Sequence, residues 1–541
     1  MPALIAGCRP GAGAPVSGIQ FVDVAGPAGL NHVVASEAKD PSQALTILET
    51  MGNGCAFLDY DNDGCLDVLL VDRPPLLFRG DGAGHFRNVT KAMKLDTVRG
   101  GHVMGCAVGD YDNDGFADVY LSGFGTGRLL HNENGKAFRD VTARAGLKPQ
   151  PWGSSCGFAD FDGDGRLDLF IANYVEFGAD YKKYLQRCEP LACGPDHYNP
   201  ERPAFYRNAG KGRFTDATRG SGVLSSNGKG LAVGFADYDD DGDADIMVAN
   251  DQVAGDLFLN AGGGHFANSA LASGTAFGLD AKPQGGMGVD WADYDGDNRL
   301  DAIVTNYTTQ PRSLYRNDGG NLFTNTTLDA GIGAATKPFL AFGVKWLDYD
   351  NDGWPDLMIA NGNVDSKIAV MEPGTTFRQP MQVFRNAGAG RRPAFSDESR
   401  ALGPSLPQPI VGRGLATGDF DNDGRVDALV MDDDGPVVLL HNQGGVTGNW
   451  IGLSLAGTGK SNRDAMGARV TLAANGRTQV REVQTAGSYL SASDKRLLFG
   501  IGAATKIDAV TIRWPDGQVE TRSNLTPGRY HALKQGGAAR R

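Results

Sequence analysis

No run of 18 apolar residues occurs in the 541-residue chain, so the sequence supplies no membrane-spanning helix. Histidine is scarce. The eight present are scattered, and no His-Glu-x-x-His, P-loop or dinucleotide fingerprint occurs, which removes the residues that zinc proteases, NTPases and Rossmann enzymes depend on. One string, Gly153-Ser154-Ser155-Cys156-Gly157, fits a nucleophile elbow, but no helical pattern follows it and its strand leads into a repeat. His85, His131, His265 and His441 fall at expected hairpins and read as solvent-exposed turn residues. Cysteine is sparse too. Cys55, Cys106 and Cys156 share a register where other repeats carry Val233, Val289, Val344 and Leu415, so they read as core packing and not as metal or redox groups. Cys188 and Cys193, five apart in a polar, proline-containing segment, are expected to form a local disulfide.

What the chain has in abundance is one nine-residue phrase, Asp-x-Asp-x-Asp-Gly-x-x-Asp. Its first copy places carboxylates at Asp59, Asp61, Asp63 and Asp67, its second at Asp110, Asp112, Asp114 and Asp118, and its third at Asp160, Asp162, Asp164 and Asp168. The fourth uses Asp237, Asp239, Asp241 and Asp245, and the fifth Asp293, Asp295, Asp297 and Asp301. Asp348, Asp350, Asp352 and Asp356 form the sixth, and Asp419, Asp421, Asp423 and Asp427 the seventh. Carboxylates at positions 1, 3, 5 and 9, with a carbonyl at 7, supply the hard oxygens that calcium prefers, and glycine at 6 permits a sharp turn. The fifth copy has Asn298 at position 6, a residue that tolerates left-handed backbone. Up to seven Ca²⁺ are therefore expected.

The phrases begin 51, 50, 77, 56, 55 and 71 residues apart, intervals that suit propeller blades with insertions. Around each lies a fixed order: a Gly-led apolar strand such as Gly54-Cys55-Ala56-Phe57-Leu58, the acidic loop, a short strand such as Val68-Leu69-Leu70-Val71, a hairpin such as Tyr206-Arg207-Asn208, and a last strand such as Phe138-Arg139-Asp140-Val141. The last-strand phrase occurs at Phe21, Phe86, Phe138, Phe214, Phe266, Phe323 and Phe395. Its first copy precedes every loop, and none follows the seventh. An N-terminal strand that completes the final blade would leave no open edge. The expectation is an all-β fold, a seven-bladed β-propeller at 19–446 followed by a small β-sandwich-like domain at 447–535, with tails at 1–18 and 536–541.

These blade phrases resemble FG-GAP repeats, the calcium-loop units of the integrin α-subunit propeller. The C-terminal strings Asn449-Trp450-Ile451, Ser461-Asn462-Arg463-Asp464-Ala465-Met466-Gly467, Gly487-Ser488-Tyr489-Leu490-Ser491, Phe499-Gly500-Ile501-Gly502 and Trp514-Pro515-Asp516-Gly517 resemble an ASPIC/UnbV domain. The order of the two is similar to the cartilage acidic protein family over roughly residues 20 to 535. The resemblance implies an extracellular binding or adhesion module.

The formal charge of -13 hides a split: residues 449–541 carry 14 Lys and Arg against 6 Asp and Glu, or +8, which leaves -21 on the propeller side. Seven calcium ions would neutralise much of that, and the basic tail reads as docking on the acidic ring. Calcium loops fill outside the cytosol, so an extracytoplasmic location is expected, secreted, periplasmic or lipid-anchored. Ile5-Ala6-Gly7-Cys8 resembles the end of a bacterial lipoprotein signal and makes Cys8 a candidate anchor, although the apolar run ahead of it is short.

One further register stands out. Asp72, Asn173, Asn250, Asn306, Asn361 and Asp432 end the second strands, with Gly123 the exception. They read either as turn caps or as a polar ring at the channel mouth that grips a carbohydrate or protein ligand, with Glu49, His102, Tyr174 and Asp251 nearby. Binding by a monomer is the leading reading. Alternatives are an enzyme at the channel mouth and RNA binding through Arg463, Arg469, Arg481, Lys495 and Arg496, against which the acidic propeller stands.

Overall fold

The computed structural model describes residues 19–33, 47–178, 193–388, 390–392, 394–400, 406, 409–444 and 448–537. The Cys8 anchor and Cys188 lie outside them. The chain is a β-propeller, and among the described residues no helix is long and apolar enough to cross a membrane.

Each acidic loop joins the first two strands of an antiparallel sheet. In the first sheet Cys55–Leu58, Asp67–Leu70, Leu76–Gly80 and Phe86–Asn88 pair in chain order. First strands such as Gly230–Ala236 and Gly412–Gly418 are buried along their whole length, because they lie innermost and are covered on both faces. Last strands bury only their leading Phe: Phe86 is inside while Arg87 and Asn88 face water. In the second sheet the two middle strands are one segment, Asp118–Asn132, which also pairs with the third sheet through Phe124 and Trp152. The seventh sheet takes its outer strand from the other end of the chain. Ile19–Asp23 pairs with Val438–Gly444, Phe21 opposite Asn442, as the displaced phrase predicts.

Two loop-and-hairpin residues hold neighbouring blades in register. The last aspartate of the first loop, Asp67, accepts the Tyr60 N–H (3.0 Å) and the Gly80 N–H (2.9 Å), which ties loop to hairpin. The hairpin asparagines reach one blade further. Asn208 donates Nδ2 to the Tyr111 carbonyl (2.7 Å) and Asn386 to that of Tyr294 (2.8 Å), each in the loop of the preceding blade. Asn132, Asn260, Asn317 and Asn442 repeat the bond. The first blade has Gly80 in this register. Across that seam the Phe86 N–H donates to the Ala28 carbonyl (2.7 Å) in the turn after the N-terminal strand.

The C-terminal strands form two small sheets. Asn449–Ala456 lies between Leu497–Gly502 and Tyr530–Lys534, and Arg469–Ala474 lies between Arg477–Glu482 and Ala509–Arg513, with Val519–Arg522 outermost. Ile451, Leu453, Val470, Leu472, Phe499, Val510, Ile512 and Trp514 fill the space around them, and this core runs on into Leu167, Leu169 and Ile171 of the propeller.

Between these sheets the chain enters the axis of the ring. Residues 484–494 bond to innermost strands around it: Thr485 Oγ1 to the Val108 carbonyl (2.9 Å), Leu490 N–H to Ser155 Oγ (2.8 Å), Ala492 N–H to the Cys55 carbonyl (3.0 Å) and Asp494 N–H to the Thr417 carbonyl (3.0 Å). Val344 N–H meets Ser488 Oγ at 3.2 Å. Tyr489 sits deepest, its hydroxyl on the Met51 carbonyl (3.0 Å) and its ring 4.7 Å from that of Phe342. The plug is locally strained, with Ser488 at φ 64° and Leu490 at φ 56°. Gly54 shows how tight the fit is, since a Cβ there would lie 1.8 Å from the Leu490 carbonyl oxygen.

Candidate metal loops and the occupied channel

Five of the seven loops share one full internal pattern; in the fourth and sixth the position-1 aspartate, Asp237 or Asp348, accepts, of the loop's own N–H groups, only that of the glycine at position 6. At position 1, Asp59 accepts the N–H groups of Asp63 (3.1 Å) and Gly64 (3.0 Å), and at position 5 Asp63 accepts that of Cys65 (2.9 Å). Position 3 is different: Oδ1 of Asp61, Asp112, Asp162, Asp239, Asp295 and Asp421 is buried and has no hydrogen-bond partner. The backbone turns through left-handed residues at both position 4 and position 6, Asn62 (φ 59°) and Gly64 (φ 85°) in the first loop. In the fifth these are Gly296 and Asn298, the latter at φ 68°, so asparagine replaces glycine there without changing the turn.

Such crowding is electrostatically costly. Burial first, then neighbouring carboxylates, push the acids upward: Asp59 to about 6, Asp67 to about 9, Asp110 to about 8, and Asp160 and Asp348 to about 7. In the first and sixth loops a hairpin arginine supplies counter-charge. Arg79 lies 2.6 Å from Asp61 and 2.7 Å from Asp63, and Arg385 lies 2.8 Å from Asp350 and 3.1 Å from Asp352. His131 and His441 occupy the same hairpin register in the second and seventh. They are not free turn residues as expected, because their side chains are only 17% and 18% exposed and face loop carboxylates.

Adjacent loops are laced together. Asn62 at position 4 donates to the Gly115 carbonyl of the next loop (2.7 Å), Asn113 to Gly165 (2.9 Å), Asn351 to Gly424 (2.9 Å) and Asn422 to Gly64 (3.2 Å), the last across the ring closure. The third, fourth and fifth loops carry Gly163, Asp240 and Gly296 at this position and have no amide to offer. The second domain fills two of these gaps, Arg469 donating to the Asn298 carbonyl (2.8 Å) and Arg477 to that of Gly353 (2.7 Å). Arg496 donates to the Asp419 carbonyl (2.9 Å), Arg513 pairs with Asp237, and the Arg463 N–H meets Asn113 Oδ1 (2.8 Å). Lys495 pairs with Asp464, and Arg481 lies over Phe499. The basic residues offered for RNA are thus turned onto the propeller or inward.

The expected polar ring takes a different form. Asn173, Asn250, Asn306 and Asn361 are buried and point into their own blades: Nδ2 donates to the carbonyl of Arg202 (2.9 Å), Ala254 (2.8 Å), Pro311 (2.6 Å) and Pro380 (2.7 Å) respectively. Each ties the end of the second strand to the turn that enters the third. The amide nitrogens are thus spent within their own blades as strand-end caps, whereas Oδ1 of Asn173, Asn250 and Asn306 is buried without a partner. Asn361 Oδ1 also accepts from the fully buried Arg312 (2.9 Å). Asn361→Ala is expected to cost about 1–3 kcal/mol, because it removes one acceptor of a buried cation that keeps the Asn306 and Phe339 carbonyls and leaves the Pro380 carbonyl without its donor, with the loss read from the urea midpoint.

The other candidates are scattered about the mouth opposite the loops. Glu49 lies half-buried in the turn Ile47–Thr50, and His102 Nδ1 is 3.2 Å from Arg73. Asp251 is buried, accepts the Tyr174 hydroxyl (2.7 Å), and is raised to about 6 by burial. Sequence reasoning missed Arg413, which is buried over the Phe342 ring at 4.4 Å and donates to the Thr50 (2.9 Å) and Asn363 (3.1 Å) carbonyls beside the tip of the plug. Cys55, Cys106 and Cys156 are free and buried, in line with a core role, whereas Cys65 and Cys193 are disulfide-bonded.

Five segments, 59–121, 110–171, 191–248, 237–304 and 348–430, match the FG-GAP-like repeat and together span more than half of the chain. The chain belongs to the FG-GAP-like repeat family. Residues 457–540 of this FG-GAP chain match the ASPIC and UnbV family. It is similar to cartilage acidic protein 1 of Xenopus tropicalis, 27% identical over 509 residues that cover 87% of this chain and 71% of that protein. To the Homo sapiens protein of the same name it is 24% identical over 512 residues, covering 89% and 71%. Among solved structures, YCF48 from Cyanidioschyzon merolae aligns with a TM-score of 0.40 at 10% identity, covering 74% of this chain and 98% of that one.

Proposed function

We propose that this FG-GAP chain is an extracytoplasmic, calcium-stabilised interaction module. Its loop face is taken up by its own second domain, and the opposite mouth is left for a carbohydrate or protein ligand. The observation that carries the calcium reading is the buried, unpartnered position-3 oxygen, which recurs at one register in six loops where a cation would complete its coordination. The carboxylates of positions 1, 3, 5 and 9 would hold the ion, and the ion would supply positive charge to groups that repel one another without it. Disulfide-bonded Cys65 and Cys193 support an oxidising compartment. Titrating calcium into chelator-stripped full chain should show several binding events, and calcium-loaded protein should capture a glycan or protein probe through the far mouth. Paired Glu49→Gln and His102→Ala should then weaken capture about tenfold while calcium uptake is unchanged. A chain that takes up no calcium would overturn the reading.

A further inference from the structure

The second loop differs from its six sisters in two respects at once. In the other loops the last aspartate accepts two backbone N–H groups, one from position 2 and one from the hairpin: Asp168 from Phe161 (3.3 Å) and Asn208 (2.7 Å), and Asp301 from Tyr294 (3.0 Å) and Asn317 (2.8 Å). In the second loop Asp118 keeps the bond from Asn132 (2.7 Å) only, and its Oδ2, in a residue with no exposed surface, has no partner. Across the same loop His131 stands where the first, third, fifth and sixth blades have arginine and the fourth has Leu259. Its buried Nδ1 faces two carboxylates, 3.2 Å from Asp118 Oδ1 and 3.4 Å from Asp112 Oδ2.

Those separations have a simple chemical meaning. Two donor atoms bound to one ion at about 2.1 Å each stand roughly 3.0–3.4 Å apart, depending on tetrahedral or octahedral angle. His131 Nδ1, Asp112 and Asp118 are within reach of a common point, and both Asp112 Oδ1 and Asp118 Oδ2 are buried orphans beside it. An imidazole nitrogen suits zinc, cobalt or nickel, whereas calcium takes oxygen. Resting on the reading of the loops as cation sites, we propose that the second loop is a mixed nitrogen–oxygen site that binds a divalent metal of the zinc class in preference to calcium. The seventh loop is the internal contrast. It shares the buried, unpartnered imidazole nitrogen, His441 Nε2 at 3.1 Å from Asp421, and Asp421, Asp423 and His441 reach a common point, but Asp427 keeps both backbone bonds, Asp423 is paired with Arg425, and the other ring nitrogen is 3.1 Å from Gln443. That loop is expected to keep the calcium preference of its sisters.

The test uses full-length chain stripped with chelator and titrated with Co²⁺ in the presence of millimolar Ca²⁺. One equivalent should bind and show the visible absorption bands of nitrogen-ligated cobalt, and Zn²⁺ should displace it. His131→Leu, which installs the residue of the fourth blade, should weaken Co²⁺ at least about tenfold and leave calcium uptake by the remaining loops intact. Should that variant fold poorly, His131→Arg installs the residue of four sister blades and carries the same expectation. Unchanged cobalt affinity in both variants, or displacement of cobalt by equimolar calcium, would overturn the proposal. Normal calcium uptake with no histidine-dependent cobalt site would sink this inference alone, and uptake of neither metal would sink the loop reading with it.

Discussion

Removing calcium from the full chain is expected to lower its melting temperature by on the order of 10–20 °C, and adding calcium back to restore it. A ligand present at 100 times its dissociation constant stabilises the state that binds it by about 2.7 kcal/mol, so several filled loops add on the order of 10–20 kcal/mol. A chain of this length gains roughly 1 kcal/mol per degree in unfolding entropy, which converts that sum into a shift of similar size in degrees. The chelated protein should also show a definite pH dependence. Burial holds the Asp67, Asp110 and Asp118 protons to about 9, 8 and 7 in the folded chain, while unfolded carboxyls release theirs near 4. Folded protein therefore binds more protons in this window, so its stability is fully present below about pH 4 and is lost as pH climbs toward 9. Melting in chelator at pH 5 and pH 8 reads the sign directly. Superimposable melting curves for calcium-loaded and chelated protein at pH 8 would rule out the stabilising role.

The second large effect is expected at the closure. Deletion of residues 1–17 should be tolerated, whereas deletion through Val24 removes the strand Ile19–Asp23 and with it Phe21, fully buried and 6.1 Å from the Tyr349 ring. Loss of one such aromatic costs about 3–5 kcal/mol by itself. Worse, the edge of Val438–Gly444 is left unpaired, an invitation to add strands from another copy. Size-exclusion chromatography should show the shorter truncation as a monomer and the longer one as aggregate. A monomeric, equally stable longer truncation would mean that the strand does not close the ring.

Much of the architecture was legible because it is written locally. The acidic phrase, the Gly-led strand before it and the Phe-led strand after it recur in a fixed order, and the displaced copy at Phe21 marks the strand that closes the ring. What escaped was set by contacts distant in sequence. Gly487-Ser488-Tyr489-Leu490-Ser491 has neither helical nor strand periodicity, and nothing in its composition tells that it lies in the axis of a ring formed hundreds of residues earlier. The strand-end asparagines were noticed, but their direction was not readable: a period gives a face, and whether an amide points to solvent or to a proline carbonyl depends on the turn that follows. Position 4 of the loops was an available signal left unused, since Asn, Gly or Asp stands there in every copy, as a left-handed residue requires. The hairpin register was similarly visible. Arg79, His131, Arg207, Leu259, Arg316, Arg385 and His441 align, but the register does not tell that Arg79, His131, Arg385 and His441 meet loop carboxylates while Arg316 turns to Asp318.

The pairing of Ile19 with Gly444 also sets a timetable for biosynthesis. Ile19 leaves the ribosome 425 residues ahead of Gly444, a wait of roughly 20–85 s at about 5–20 residues per second. Even then the assembly is incomplete, because Tyr489 and Leu490 have yet to be translated and the innermost strands face a hollow axis until they arrive. A chain whose synthesis stops at Gly444 would carry a ring without its filling, with the Cys55 carbonyl and the Cys106 N–H deprived of the Ala492 and Leu490 partners they have in the finished protein. The last fifth of the polypeptide thus certifies the first, and premature products would announce themselves to folding surveillance by what they leave exposed.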